Sequence, residues 1–539
     1  MNPTPSADMT LATDTSPDQA LPVIDASRMS RRDLLAMLAA TGMATLVPDS
    51  ANAQGVPNAK RGGILRVSGQ TNPSSMDPYT GGAGTDHTFL WPVFDTLVEW
   101  DYATLKPIPG LAEWTWPDPK TLVLNIKPGI LFHDGTPCDA AAVKANLERG
   151  RTDTRSNIKA DLSSIASVDV TGPLQVKLNL ARPDTALPAI LSDRAGMMSS
   201  PKAVAALGKD HDRNPVGTGP WKFVSWADKE KISVRRFDKY WRKDRGFVDG
   251  IDFAIIPELA TGLRSVATGQ NDMMYAMPPR LKPVVDRNKD LTLIQGPTVY
   301  CTQLYFNLAR KPLDNLKVRQ AILFGVDRDA FVKQAFSGIG EPASMQLPSS
   351  HWAWDKSVST MYPYDPARAR ALLAEAGFKD GVEIVVGGYN DQDAVRRGEI
   401  LMEQLRQIGI RLKFINGSIP EISAQFFGAE KKFDALLAAW TGRPDPAMSY
   451  GLMYGKEAYF NAGRVEISPE LQKLLPEARA SENQEVRKQV LARVQRLVME
   501  NAAVLPLAFQ SELTVVTKKV QGYKPNLLGK PKYEFLSLG

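Results

Sequence analysis

Three residues in one short loop, Trp440, Arg443 and Asp445, have side chains suited to holding a ligand. An arginine guanidinium presents a fork of N–H donors that matches a carboxylate or a phosphate. A tryptophan beside it adds an aromatic face on which a cation can rest. The alternative is a surface turn bracketed by prolines, with Arg443 in solvent, so the residue types alone leave both interpretations open.

The loop follows a repeating order of strands and helices. Asp365-Pro366 predicts a helix start and Gly377 predicts its end. Strand-like runs at 382–386, 410–415 and 433–439 alternate with helical spacing at 394–408 and around 419–429. In a βαβαβ unit of parallel strands, ligands bind beyond the carboxyl ends of the strands. The pattern therefore places residues 440–445 where a site is expected.

Motifs of common enzymes are absent from the sequence. It contains no Gly-x-Ser-x-Gly, no His-Glu-x-x-His and no Cys/His pair in the setting a thiol nucleophile needs. None of its four histidines is at metal-binding spacing from another, so we expect His133 to stabilise a turn by hydrogen bonds. Gly217-Thr218-Gly219 lacks the Lys-Ser/Thr of a phosphate loop and predicts only a tight loop. No cofactor or metal is expected.

The first 53 residues have the features of an export signal. Residues 1–29 are polar, and Arg31-Arg32 then precedes an apolar run, 34–47, that is too short to span a bilayer. Ala51-Asn52-Ala53 is a small-x-small cleavage site before Gln54. The arginine pair resembles the twin-arginine export signal, which predicts a soluble periplasmic protein. The alternative is an N-terminal amphipathic helix of a cytosolic protein.

The composition is that of an ordinary soluble globular protein. With 539 residues, 43% hydrophobic and 23% charged, the chain is long enough for two to four domains and a large core. The formal net charge is +6 and no Lys/Arg block concentrates it, so nucleic acid is not an expected partner. An acidic ligand is compatible with this charge.

Several segments form an ordered set of motifs between Gly63 and about Ala508. They are 114–149 with its Phe132-His133-Asp134-Gly135 turn, 214–221, 237–241, 305–307, 312–321 and Asp327-Arg328. The set resembles the family 5 solute-binding proteins, the peptide/nickel-type receptors of ABC importers. It covers essentially the whole chain after the leader, and the succession of motifs is more specific than any one of them.

The resemblance implies an α/β fold of the class II periplasmic binding protein type, with a ligand cleft between two lobes built from three domains. After the leader at 1–53, domain I would hold residues 54–97, 213–315 and 507–539, domain II residues 98–212, and domain III, the second lobe, residues 316–506. The chain would then cross between the lobes between Cys301 and Asp314 and near Leu505. We also expect the strand at Gly63–Val67 to lie outside the sheet that holds 433–439. Under these bounds Cys138 would fall in domain II and Cys301 in domain I, and two unpaired or buried thiols are expected.

The implied function is capture and delivery of a small solute, not catalysis. Two lobes would close on a di- or oligopeptide, or a peptide-like compound with a carboxylate. A membrane permease would then accept the solute, and a separate ATPase would supply energy because the chain has no Walker motif. The receptor itself is expected to be monomeric. The alternatives are a periplasmic hydrolase of peptide-like substrates and a receptor for a non-peptide anion, such as an opine-like compound or sugar conjugate.

The resemblance also assigns candidate ligand contacts. In the peptide-binding members, the loop that here reads Trp440-Thr441-Gly442 continues with an aspartate that holds the peptide amino group, whereas this chain has Arg443. Either Asp445 takes that role, or Arg443 binds a carboxylate or phosphate instead, or Arg443 points into solvent. The facing edges of the cleft add Tyr300, Thr85 and Asp86 as weaker candidates. Nickel is less expected, because histidines are few.

Overall fold

The computed structural model describes residues 59–539. The expected export signal and its cleavage site lie outside these residues. Within them, no helix is both long and apolar enough to cross a membrane.

Helices and strands are both abundant, and their bounds are as follows. The strands are β1 (Ile64–Gly69), β2 (Val98–Trp100), β3 (Pro107–Pro109), β4 (Ala112–Asp118), β5 (Thr121–Ile126), β6 (Ile165–Gly172), β7 (Gln175–Leu180), β8 (Trp221–Ala227), β9 (Lys231–Arg236), β10 (Gly250–Ile255), β11 (Met273–Met274), β12 (Leu291–Phe306), β13 (Glu341–Pro342), β14 (Val382–Tyr389), β15 (Ile410–Gly417), β16 (Ala435–Trp440), β17 (Val504–Thr517), β18 (Val520–Gln521) and β19 (Ser537–Leu538). The α-helices are α1 (His87–Val93), α2 (Ala140–Thr152), α3 (Leu187–Ile190), α4 (Pro201–Leu207), α5 (Leu259–Ala267), α6 (Lys282–Asp286), α7 (Leu316–Phe324), α8 (Arg328–Ala335), α9 (Lys356–Ser359), α10 (Pro366–Glu375), α11 (Gln392–Arg406), α12 (Ile419–Phe427), α13 (Pro446–Tyr454), α14 (Pro469–Glu477) and α15 (Gln484–Glu500).

Two long antiparallel strands, β12 and β17, form the middle of the main sheet, whose order is β15-β14-β16-β12-β17-β11-β1-β10-β9-β8. On one side β16 pairs with the second half of β12, from Cys301 to Phe306. On the other side β11 pairs with the end of β17 at Val515 and Val516. The ladder between β12 and β17 is interrupted by register shifts around Cys301 and Thr302.

The expected separation of the two sheets is wrong. β1 and β16 do not pair with each other, but both belong to the one hydrogen-bonded sheet that passes through β12 and β17. The reason is length: β12 has 16 residues and β17 has 14, so each can pair with strands on both sides. The domain bounds themselves stay a prediction.

The βαβαβ unit predicted for residues 382–440 is confirmed. β14 pairs in parallel with both β15 and β16, and α11 and α12 connect them. Asp365 begins α10 as predicted, because its side chain accepts a hydrogen bond from the Arg368 amide at 2.8 Å. Gly377 follows the helix with φ +88°, a conformation that favours glycine. We call residues 316–506, which contain this unit, the central segment.

Buried apolar side chains form separate clusters. The largest draws on residues 304–508 and lies around the central segment. A second, within 79–198 plus Met448, covers the four-stranded sheet β4-β5-β7-β6. A third draws on residues 65–105, 197–299 and 516–538. Cys138 and Cys301 are both buried and unpaired, as expected.

His133 fixes the loop that contains Gly217 and Gly219, in agreement with the predicted turn-stabilising role. Its Nε2–H donates to the Gly219 carbonyl at 2.9 Å, and its Nδ1 accepts from the Gly217 amide at 3.3 Å. The loop is tight as predicted: a Cβ on Gly217 would lie 2.1 Å from the Val93 carbonyl oxygen. Burial lowers the pKa of His133 to about 4. The imidazole is therefore neutral, which these two hydrogen bonds require.

We expect His133 to make the protein sensitive to acid. The unfolded chain binds this proton near pH 6.5 and the folded chain only near pH 4, so stability falls as pH drops between those values. The slope from this residue is about 1.4 kcal/mol per pH unit. Chemical denaturation at pH 7 and pH 5 should show a smaller loss of unfolding free energy in His133→Gln than in the parent. Equal losses in the two proteins would contradict this assignment.

Candidate functional site

A cavity of about 200 Å³ lies where separate parts of the chain meet. Its lining comes from residues 81–87, 157–161 and 190–195 outside the central segment, from residues 441–448 inside it, and from Lys530. We call it the Arg443 cavity. Because residues of the central segment and of the flanking segments both line it, a molecule held there would contact both.

Arg443 enters this cavity with its cationic group free of any acidic partner. Its Nη1 donates to its own neighbour, the Gly442 carbonyl, at 2.8 Å, and the guanidinium carbon lies 5.0 Å from the centre of the Trp440 ring. Among residues 59–539, no carboxylate forms a salt bridge with it. The guanidinium is half-buried, which leaves donors available to a ligand.

The chain before Arg443 is fixed by Gly442 and Trp440. Gly442 has φ +74°, and a Cβ there would lie 2.1 Å from a methyl carbon of Val299, so only glycine fits. Trp440 is buried, donates its indole N–H to Ser449 at 3.2 Å and meets Phe460 edge-on. Its ring therefore supports Arg443 more than it exposes a face to the cavity.

Asp445 is engaged within the protein. Arg487 Nη2 donates to both of its carboxylate oxygens, at 2.8 and 2.7 Å, and the side chains are 11% and 5% exposed. The Asp445 carboxylate also accepts from the Ala447 amide at 2.9 Å at the start of α13. These bonds occupy the carboxylate that the sequence offered as a ligand for an amino group.

Asp86 is likewise fully buried in a network of its own. It accepts hydrogen bonds from the Ser74 amide and hydroxyl at 2.7 Å each, from the Ala83 amide at 3.1 Å and from Arg194 at 3.0 Å. Thr85 beside it is exposed and does not line the cavity. The geometry gives Asp86 the role of ordering the loop at 81–87 that lines the cavity.

Tyr300 lies at a second cavity, of about 240 Å³. Burial raises the pKa of Tyr300 to about 12, and Asp193 and Arg443 are among the charged groups that act on it. Gly529 and Pro531 line this second cavity while Lys530 lines the Arg443 cavity, so the two lie on either side of one short segment. Arg280 and Asp393, which line the second cavity, approach to 3.3 Å and connect the central segment to the rest of the chain.

A charged cluster of Asp193, Lys530 and His87 lines the Arg443 cavity. Lys530 Nζ lies 2.9 Å from Asp193 and 3.1 Å from His87 Nε2, and His87 Nε2 also contacts Asp193. Burial raises the pKa of Asp193, but His87 and Lys530 outweigh it and hold that pKa well below the ordinary value. Burial lowers the pKa of Lys530, against the opposing effect of Asp193. Arg194 adds a further positive charge to the lining.

Asp161 is the second charged group of this cavity without a partner. Among the described residues, its carboxylate takes part in no hydrogen bond and no salt bridge, and its backbone amide bonds to Ile158 at 3.1 Å. Burial raises the pKa of Asp161, and Arg443 partly opposes this. The cavity thus holds one cation and one carboxylate that the protein leaves unpaired.

Of the residues predicted from sequence, only Arg443 lines this cavity, and Tyr300 lines the second one. Sequence reasoning missed Asp161, Asp193, Lys530 and His87. No local pattern marks them, because they come from separate parts of the chain and meet only in the fold. Metal-binding clusters of three or more His, Cys, Asp or Glu residues do not occur among residues 59–539.

Comparison with known proteins gives consistent results. The model of bacterial extracellular solute-binding proteins, family 5 middle, matches residues 106–461. The glutathione-binding protein GsiB of Salmonella paratyphi A is 33% identical over 327 residues, 60% of this chain and 64% of that protein, so this match spans less than two thirds of the relative. GsiB of Pectobacterium atrosepticum is 30% identical over 466 residues, 84% of this chain and 89% of that protein.

A solved structure matches across most of the chain. The periplasmic binding protein DppA from Helicobacter pylori, in complex with the peptide STSA, has a TM-score of 0.79 at 22% identity and covers 89% of this chain and 98% of its own. At this identity the likeness shows the fold. The predicted α/β fold of the class II binding-protein type is confirmed.

We expect the Asp445–Arg487 pair to be structural. Removing Arg487 leaves a buried carboxylate without its partner, which costs about 3–5 kcal/mol. Arg487→Met retains the aliphatic volume, and its unfolding free energy should fall by that amount in denaturant titration. The control is Arg493→Met, which removes an exposed arginine whose side chain is 40% exposed and pairs with Glu470; there we expect less than about 1 kcal/mol. Equal effects of the two changes would contradict the structural role.

Proposed function

Because the chain belongs to the family 5 bacterial extracellular solute-binding proteins, we propose that it captures a peptide-like solute with a free carboxylate in the Arg443 cavity. The observation that carries this proposal is the unpaired Arg443 in a cavity lined from both the central and flanking segments. The half-buried guanidinium has no acidic partner among the described residues, and a ligand carboxylate would accept two parallel N–H···O bonds from it.

Geometry favours Arg443 over Asp445 as the main ligand contact. The Asp445 carboxylate already receives bonds from Arg487 and from the Ala447 amide. The charges around the cavity support the same choice: Arg443, Arg194 and Lys530 are cations, against Asp161 and Asp193. An anionic group on the ligand is therefore attracted.

The proteins that the chain resembles are named for the ligands they bind. GsiB is a glutathione-binding protein, and the DppA structure holds a peptide. Glutathione and short peptides both carry a carboxylate, so both fit the proposed contact with Arg443. We propose that this protein likewise acts in the periplasm as a monomeric receptor and delivers its solute to an ABC permease driven by a separate ATPase.

Binding energy should drive the change from open to closed lobes. A solute that touches Arg443 in the central segment and residues 81–87 or 157–161 outside it makes its full set of contacts only when these approach. Its differential affinity for the closed form is then what stabilises that form.

We expect Arg443 to dominate affinity. A thermal-shift screen of dipeptides, longer peptides, glutathione, opine-like amino-acid conjugates and nickel salts should identify a carboxylate-bearing compound, which titration calorimetry then quantifies. Arg443→Ala should weaken its binding by about 2–5 kcal/mol, or ~30-fold or more, because the ligand carboxylate would stay desolvated without a partner.

Arg493→Ala, which removes an exposed arginine outside the cavity, should bind as tightly as the parent. If Arg443→Ala also binds like the parent while Asp445→Asn does not, Asp445 holds the ligand amino group and the proposed carboxylate contact fails. Mass spectrometry of the bound compound after incubation tests the hydrolase alternative, since a receptor returns it unchanged.

A further inference from the structure

We infer that Asp161 binds the ammonium group of the solute, so that the Arg443 cavity selects zwitterions with a free amino group as well as a carboxylate. This inference rests on the proposed function, because it concerns a second contact with the same solute. It assigns to residue 161, outside the central segment, the amino-group contact that the sequence had suggested for Asp445.

The carboxylates that line the cavity differ in whether the protein itself pairs them. Asp193 is held by Lys530 at 2.9 Å and by His87. Asp161 has no such partner among the described residues, although it is partly buried. Burial of a carboxylate without a cation is unfavourable, and a ligand ammonium group would supply the missing charge and hydrogen bonds.

Asp161 and Arg443 line the cavity from different parts of the chain. Asp161 belongs to the segment between α2 and β6, whereas Arg443 follows β16 in the central segment. The two line one cavity and influence each other electrostatically, yet they do not form a salt bridge. The proposed solute would place its carboxylate at Arg443 and its ammonium group at Asp161, so that each group meets the opposite charge.

The other two cations that line the cavity already have partners within the protein. Lys530 is engaged by Asp193, and Arg194 by Asp86 at 3.0 Å and by the Gly81 carbonyl at 2.8 Å. Neither forms a salt bridge with Asp161. Arg443, Arg479 and Lys530 favour its charged form only from a longer distance, so the direct partner of the carboxylate is left to the solute.

The test compares probes that differ only in the charge of the amino group. Titration calorimetry with glutathione and with the dipeptide Met-Leu is repeated with their N-acetylated forms, which keep the carboxylates and lose the cation. The parent protein should bind the free-amine form of whichever probe it takes at least 10-fold more tightly. Asp161→Asn, of nearly the same size, should lose about 10-fold or more in affinity for the free amine and bind the acetylated form as the parent does.

Asp290→Asn is the matched control, since this aspartate side chain is 86% exposed and lies outside the cavity; it should bind both forms as the parent does. Equal binding of free and acetylated probes by the parent, together with no effect of Asp161→Asn, would overturn the inference and leave the proposed function intact. The same holds if Asp161→Asn weakens both forms equally, which would make the residue structural. No binding of any probe, free or acetylated, would overturn both proposals.

Discussion

The pairing of β12 with β17 is the constraint on which the rest of the structure depends. These two strands connect the central segment with the flanking segments, and their hydrogen bonds continue from Leu291 to Tyr305 with interruptions only around Cys301 and Thr302. Cys301 pairs with Trp440 on one side and with Phe509 on the other. The end of β16 is therefore fixed where the register between β12 and β17 shifts. The loop that follows β16 begins where the central segment meets the flanking segments.

This placement explains why a glycine and an arginine follow Trp440. The chain must turn against Val299 of β12, which leaves no room for a Cβ at residue 442. The next side chain then emerges into the cavity shared with residues 81–87, 157–161 and 190–195. A short loop on a rigid sheet thus holds Arg443 with little conformational freedom, and a preorganised group loses less entropy when a ligand binds.

The charges of the cavity differ from the buried ion pairs elsewhere in the protein. Several buried acids have cationic partners there: Asp77 contacts Arg149 and His211, Glu99 contacts Arg242 and Arg245, and Asp184 contacts Arg479. Such pairing is what desolvation requires, because a single buried charge is strongly unfavourable. The Arg443 cavity instead holds one cation and one carboxylate without a salt-bridge partner among the described residues, and these are the groups that we propose a solute contacts.

Local patterns in the sequence predicted the βαβαβ unit, the helix start at Asp365 and the loop after Trp440, because each depends on residues close together in the chain. They could not distinguish paired from unpaired carboxylates. The sequence does not show that Asp445 pairs with Arg487, which lies 42 residues later in the chain. No residue near Asp161 in the sequence marks it as a candidate contact. The single sheet was missed for a similar reason: short apolar patterns do not reveal that β12 and β17 are long enough to pair on both sides.

Contacts that do not involve a solute already join the two sides of the cavity. Arg479 of the central segment donates to Asp184 at 2.8 and 2.5 Å, and the Thr185 amide donates to the Arg479 carbonyl at 2.8 Å. These bonds connect the central segment to residues 98–212, the same two parts that the proposed contacts at Arg443 and Asp161 would connect. A ligand shifts an equilibrium between two states only by its differential affinity for them, so the proposed solute contacts would act on the same two sides that these bonds already join. In the proposed function, the unpaired charges at Arg443 and Asp161 would determine which solute adds to the contacts that the paired charges make.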